Sequence, residues 1–429
     1  MNNNIQSLTN NCWEKLFDKH RILQTIKSNG FFQISSNQIN KFREARLMTK
    51  FDHRTNLPQL FKDNNLSILP ITRGDYIISH FDAYHDFEFK ASVLKTMTPP
   101  DWIQSLNYNN IFSEAVALNS AFAAGILSDF LEDENLTATV SGRMKSGSFD
   151  FLIKDSITQK HRRIYIKNAQ IEIDAAYEGF SSLALFEAKC NLADDFLIRQ
   201  LYYPFRAWST KITKNIRPIF FVYSNGIYQL YEYQFEDKND YNSLCLIKQI
   251  NYTTETTSIT CEDIQQILTL TEKQEESKEI PLPQADKFER IINLCELLND
   301  QKLTKENIAN QYAFTPRQAD YYTNAATYLG LLQKNSLEQK YELTPKAKKI
   351  LTLPYKKRQL EYTECILKHK PFSMTLAHYF KTGEIPEKNI IVQYIKKSNS
   401  HCSERNSTQY RRASTIISWI KWIVGLINE

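Results

Sequence analysis

From Trp13 to Ile26 apolar residues recur at helical spacing, and the pattern predicts an amphipathic helix. Ser67 to Ser79 reads instead as a strand, a turn at Gly74 and a second strand. Ile111 to Phe130 is helical in period and mostly apolar, so this helix is expected to be buried. Strand-like runs follow at Ala138–Val140, Ser148–Ile153, Arg163–Ile166, Gln170–Ala175 and Ser182–Cys190. Ala193 to Trp208 reads as a helix. Pro218–Tyr223 and Gly226–Tyr233 then form a hairpin with Ser224-Asn225-Gly226 at its turn. That order of helix, strands, helix and strands predicts an α/β core with mixed strand directions.

Thr271 to Pro283 is charged and then punctuated by proline, which marks the best domain boundary in the chain. Beyond it the pattern is largely helical. The reading divides the chain into an N-terminal α/β region over 1–100 and a core over 101–275. A helical DNA-binding region over 284–355 and a second helical unit over 356–429 follow. No repeat of fixed period stands out.

Composition narrows the class. The chain has 429 residues, 42% of them hydrophobic, with only 10 Gly and 13 Pro, so it can build real cores and has little flexible linker. The N-terminus lacks an apolar signal-peptide region, and no apolar run is long enough to span a bilayer. The expectation is a soluble, cytoplasmic protein with no membrane partner. Seven cysteines without a CxxC pair exclude the usual zinc patterns and a disulfide framework. His401 beside Cys402 has no matching ligand pair and reads as a loop. Residues 281–429 carry 23 Lys and Arg against 14 Asp and Glu, while the preceding residues carry 30 against 34. The basic third is where a polyanion is expected to bind.

Two neighbouring strands carry the candidate chemistry. Ile171-Glu-Ile-Asp-Ala-Ala-Tyr-Glu178 precedes Leu183-Ala-Leu-Phe-Glu-Ala-Lys189. Alternation puts Glu172 with Asp174 on one face, and Glu187 with Lys189 on one face of the next strand. A hairpin through Glu178-Gly-Phe-Ser181 brings the acids together. Carboxylate oxygens at Asp174 and Glu187 suit Mg²⁺, which keeps waters and takes phosphate oxygens as further ligands. Lys189 could orient or deprotonate the attacking water, or stabilise the developing negative charge. A plain surface ion pair is the competing explanation, but the apolar run before Glu187 marks a buried strand, where charges are rare.

The set Asp174…Glu187-Ala-Lys189 on consecutive strands after a helix resembles the PD-(D/E)xK nuclease superfamily. With Arg199-Gln-Leu-Tyr-Tyr-Pro204 in the following helix it is similar to type II restriction endonucleases. The likeness covers about residues 105–235, with Ile173 where the motif's name has Pro. It implies a restriction-endonuclease-like mixed-sheet core and Mg²⁺-dependent, sequence-specific hydrolysis of double-stranded DNA. A cognate DNA methyltransferase is expected in the same system, with no direct contact implied. In such enzymes the preceding helix often supplies another acid, and Glu114 is the match. It reads equally well as a helix-start carboxylate favoured by the dipole. Gln200 resembles the glutamine that follows the core motif in related nucleases, or is a solvated helix residue. Asp150 is the rival to Asp174, but it lies 37 positions before Glu187 against 13 for Asp174, and hairpin adjacency favours Asp174.

Leu303 to Leu332 reads as helix, tight turn, helix. Thr304 caps the first helix, with Leu303 and Ile308 placed as a staple; Thr315, Pro316 and Gln318 form a Thr-x-x-Gln start for the second. Ala319, Tyr322, Ala326 and Leu329 face the core. Arg317, Gln318, Tyr321 and Asn324 lie near the helix start, where a recognition helix touches base edges. A hairpin after Gly330 serves as a wing, and the whole resembles a winged helix. The final helix, from cap candidate Ser407, adds Arg411 and Arg412 for phosphates. It ends either a second winged-helix-like unit beginning near Lys356 or a plain packing helix. Symmetric sites imply a homodimer on DNA. Two other classes stay open: a DNA-binding regulator with an inactive nuclease-like core, and a repair or structure-specific nuclease.

Overall fold

The structure, a computed structural model, describes residues 5–88, 94–108, 111, 113–255, 258–312, 314–335, 337–398, 400, 402, 403 and 405–427. His401 lies outside them. The fold is mixed α/β and the chain forms two compact units. One comprises Met1–Leu106, Phe112–Tyr223 and Ile227–Thr253; the other comprises Thr254–Glu429 with Asn107–Ile111 and Ser224–Gly226. Among the described residues no helix is long and apolar enough to cross a membrane.

The first unit opens with α1 (Ile5–His20), α2 (Ile22–Asn29), β1 (Phe32–Ser35), α3 (Ser36–Asn40), α4 (Ala45–Thr49), α5 (Gln59–Asp63), β2 (Ser67–Pro70), β3 (Asp75–Ser79), β4 (Tyr84–Asp86) and β5 (Leu94–Thr96). The single helix expected over 13–26 is broken at Arg21, whose φ of 50° is left-handed. Both pieces bury the expected stripe, Trp13, Leu16, Ile22 and Ile26. Next come α6 (Glu114–Ala123), α7 (Ile126–Leu131), β6 (Thr137–Lys145), β7 (Ser148–Lys154), β8 (His161–Lys167), β9 (Gln170–Glu178) and β10 (Ser182–Lys189). The apolar helix expected from 111 starts later, at Ser113, whose hydroxyl accepts from Val116 N. It breaks at Gly125, where φ is 74°. The unit closes with β11 (Asp195–Leu197), α8 (Arg199–Ser209), β12 (Asn215–Ser224), β13 (Ile227–Phe235) and β14 (Leu244–Thr253).

Seven strands form the central sheet in the order β5-β14-β13-β12-β10-β9-β6. Strand β10 is its hinge in sequence terms, antiparallel to β9 and parallel to β12. A parallel neighbour needs a crossover, and α8 supplies it. The helix expected over 193–208 is therefore shorter than its pattern suggested. Asp195-Phe-Leu pairs antiparallel with Asp86, His85 and Tyr84, and all three of its residues are buried. The strands expected at 1–100 share one apolar core with the later ones: Trp13, Phe61, Ile68 and Ile78 belong to the same cluster as Phe151, Tyr203 and Phe220. The segments 1–100 and 101–275 thus do not have separate cores.

The second unit contains α9 (Cys261–Leu270), α10 (Phe288–Leu297), β15 (Leu303–Thr304), α11 (Lys305–Gln311), α12 (Pro316–Tyr328), β16 (Leu332–Asn335), β17 (Lys340–Leu343), α13 (Pro345–Leu351), α14 (Tyr355–Leu367), α15 (Lys370–Thr382), α16 (Lys388–Lys397) and α17 (Asn406–Gly425). Its three-stranded sheet has the order β15-β17-β16. Both helix starts expected from sequence are present: Thr304 accepts from Asn307 N, and Thr315 forms a capping box with Gln318. Ser407 is no cap, because α17 has already begun before it. Residues 356–427 form no strand among those described, so nothing there makes a second wing.

The charged stretch expected to divide the chain at 271–283 is packed into this unit. Glu276 lies buried against His369, with 3.2 Å between Oε2 and Nδ1, and accepts from the Tyr328 hydroxyl at 2.7 Å. Helix α9, assigned by sequence to the preceding domain, contributes Ile264 to the second unit's core. The division falls near residue 254 for that reason.

Candidate active site and candidate DNA-contact face

Strand β10 is buried from Ser182 to Ala188, and Glu187 and Lys189 end it. Leu183 to Phe186 pair with Glu178 to Ala175 of β9, and the ladder opens beyond that point. On the other side of β9, Val140 pairs with Ala176 and Gly142 with Ile173. Strand β9 therefore carries one extra residue between Ile173 and Ala176, a bulge at Asp174-Ala175. Bulges re-aim side chains. Ile173 and Ala176 accordingly share one apolar cluster with Leu185. Asp174 reaches across the opened ladder, and its Oδ2 accepts from Ala188 N at 2.8 Å.

Four further groups meet there. Lys189 Nζ donates to Glu187 Oε1 at 2.5 Å and to Ala188 O at 3.0 Å. Gln200, in the first turn of α8, donates from Nε2 to the same Glu187 oxygen at 2.5 Å. The Gln200 carbonyl oxygen is buried without a hydrogen-bond partner among the described residues. Glu114, at the first position of α6, lies within electrostatic reach of Lys189 and Asp174. Asp174, Glu187, Lys189, Glu114 and Gln200, all named from sequence, are thus brought together.

Electrostatics describe a pocket with surplus negative charge. Burial pushes Glu187 up to about 7; Lys189 opposes the shift, while Asp174 and Asp52 reinforce it. Burial likewise raises Glu114, against Lys189 and Lys50 and with Asp174 and Asp52. For Lys189, burial favours the neutral amine, but Glu187, Glu114, Asp174 and Asp52 outweigh it and hold the ammonium charged. The acids and the lysine all hold their protons more firmly than usual, the response of a site that lacks positive charge.

The other two acids considered go elsewhere. Asp150 pairs with Arg163 across the β7-β8 hairpin. Glu172 forms a half-exposed ion pair with Arg143 on β6, N to O 3.2 Å. Lys50 and Asp52 were not foreseen. They lie far earlier in the chain than the motif, and the only local hint is the polar run around buried Phe51.

Three family models match the chain, each described as a domain of unknown function: DUF6996 over residues 10–78, DUF6997 over 79–253 and DUF7226 over 290–428. No curated protein and no solved structure matches it. The acid and lysine cluster falls within the DUF6997 match, while Lys50 and Asp52 fall within the DUF6996 match.

The candidate DNA-contact residues lie in the DUF7226 match. Arg317 and Asn324 are exposed on α12. Arg317 Nε donates to the Tyr321 hydroxyl at 2.5 Å, and its guanidinium stands 5.3 Å from the centre of that ring. The Gln318 carbonyl is committed to the capping box, accepting from Thr315 N at 2.9 Å. On α17, Arg411 is exposed and donates to Ser407 O at 3.3 Å. Arg412 is more enclosed. Burial lowers it from the usual guanidinium value, opposed by Cys402 and Tyr321, which puts it beside the α12 face.

Proposed function

We propose that the chain is a Mg²⁺-dependent, PD-(D/E)xK-type endonuclease acting on double-stranded DNA, of the restriction type, with a winged-helix reader in its second unit. The observation that carries the reading is the meeting of Asp174, Glu187 and Lys189 at the opened end of the β9-β10 pair. The donor set fits a hard divalent cation. Asp174 and Glu187 offer carboxylate oxygens, Glu187 is strained by its own charge, and Gln200 leaves a buried carbonyl oxygen without a donor. Among the described residues no His, Cys, Asp and Glu cluster of three or more has the form of a protein-only cage. Mg²⁺ often has few protein ligands, with waters and substrate phosphate completing its shell. Bound there, the ion would acidify a coordinated water and neutralise charge on the attacked phosphate.

This chain's own residues do the rest. Lys189, held protonated by the surrounding acids, donates rather than accepts; it orients the attacking water and opposes the negative charge that grows on phosphorus oxygens. Gln200 fixes one Glu187 oxygen and leaves the other to ligate. Water adds at phosphorus, one P–O ester bond breaks, and the leaving oxygen takes a proton. Reading of the sequence is assigned to α12. The order β15-α11-α12-β16-β17 supports a winged helix, with Arg317 and Asn324 exposed near the start of the second helix.

Supercoiled plasmid digested with and without Mg²⁺ tests the reading. Asp174→Ala and Lys189→Ala are each expected to lower cleavage by about a hundredfold or more while duplex binding and the melting temperature persist. Equal cleavage by all three proteins, or none by the wild type, sinks the nuclease. Duplex binding without any cleavage would favour the DNA-binding regulator, and smeared or branch-dependent products a structure-specific nuclease.

A further inference from the structure

Resting on that nuclease reading, we propose that Lys50 is a second cation of the active centre: a phosphate-binding residue supplied by the N-terminal segment and positioned by Asp52. The backbone under this pair is fixed almost residue by residue. Trp13 Nε1 donates to Met48 O at 3.0 Å and the Tyr84 hydroxyl to Phe51 O at 2.9 Å. Leu197 N donates to Asp52 O at 2.9 Å, which ties the segment to β11 a few residues after Lys189. His53 Nδ1 lies 2.5 Å from Asp195 O, and Arg54 N donates to Asp195 Oδ2 at 3.1 Å. Trp13, Tyr84, Leu197 and Asp195 are all buried, so the anchors are themselves held.

The two side chains divide in depth. Asp52 is 18% exposed, and its charge acts on Glu187, Lys189 and Glu114. Lys50 Nζ is 3.7 Å from Asp52 Oδ2, and the side chain is 59% exposed. Its charge reaches Glu114. An ion pair that open contributes little to stability, so holding the fold together does not account for it. It does answer a need of the pocket. Asp174, Glu187, Glu114 and Asp52 face only Lys189 and Lys50, and such a pocket repels an approaching phosphodiester. A compact ammonium at its rim attracts one phosphate as a point charge. Asp52 limits where that ammonium can go.

Full-length Lys50→Ala, Lys50→Arg and Asp52→Asn proteins are compared with wild type. Fluorescence anisotropy with a short labelled duplex, in Ca²⁺ and across a salt series, reads binding apart from cleavage. Lys50→Ala is expected to weaken binding roughly three- to tenfold and to reduce the salt slope by about 0.9, the signature of one lost phosphate contact. Its KM for cleavage rises while kcat stays within about threefold of wild type. Lys50→Arg restores most of the binding, and Asp52→Asn raises KM with the salt slope unchanged. A wild-type Kd and salt slope in Lys50→Ala overturn the proposal, as does a lower kcat at unchanged KM. Should wild type fail to cut, the nuclease reading fails and the active-centre role with it. Wild-type cutting with unaltered Lys50→Ala binding defeats the present inference alone.

Discussion

Glu187 keeps its proton near neutral pH because its carboxylate is buried among other acids, and this ties the candidate site to stability. Its folded value of about 7 lies above the ordinary 4.5. The folded protein therefore binds this proton more tightly than the unfolded chain does. Stability falls as pH rises from about 4.5 to 7, and above that the full penalty of the buried charge is present. Metal-free Glu187→Gln is accordingly expected to be more stable than wild type at pH 8, by roughly 1–3 kcal/mol, with the advantage vanishing below about pH 4.5. A cation competes with that proton, so Mg²⁺ should raise the wild-type melting temperature more at pH 8 than at pH 6. Calorimetry across pH checks both, and a variant equal to wild type at every pH would show that the charge carries no strain. Asp174, Glu187 and Lys189 were legible in sequence because a hairpin is a local object. Lys50 and Asp52 were not, because the ties that bring them in, such as Leu197 N to Asp52 O, bridge remote parts of the chain.

Elements that close on near neighbours could likewise be read from pattern, and those that close on distant ones could not. Strands β9 and β10, the β12-β13 hairpin and the capped helix α12 carry their own alternation or cap residues. Asp195-Phe-Leu carries a helical period, yet it pairs with β4 more than a hundred positions earlier, and the tertiary pairing prevails. Strand β14 escaped notice because most of its residues are only partly buried, which blurs the alternation. The bulge in β9 is equally invisible in sequence, since it exists only relative to β6. For α12 the expectation concerns recognition. Arg317→Ala and Asn324→Ala should each relax discrimination between cognate and mismatched duplexes by about 1–3 kcal/mol, with cleavage chemistry intact. Identical preference profiles for both variants and wild type would assign this helix to protein packing.

At the scale of the molecule, one catalytic cluster per chain holds one scissile phosphate at a time. Cutting two strands of a symmetric site is met most simply by two chains related by a two-fold axis, with the two Glu187 carboxylates facing opposite strands. Sedimentation with a duplex site is expected to give two chains per duplex; a stable one-to-one complex that nicks first and linearises later would refute the dimer. Within the first unit the parts are less separable than the family matches suggest. The matches meet at residues 78 and 79, inside strand Asp75–Ser79. Either side of that join is stitched to the other: the Tyr203 hydroxyl donates to Pro70 O, and Lys167 N to Ile71 O. A lineage that exchanged one stretch for an unrelated one would inherit a severed strand, a halved core and an active-site rim without its lysine. Descent must therefore carry residues 10–78 and 79–253 together, as a single heritable unit under two labels.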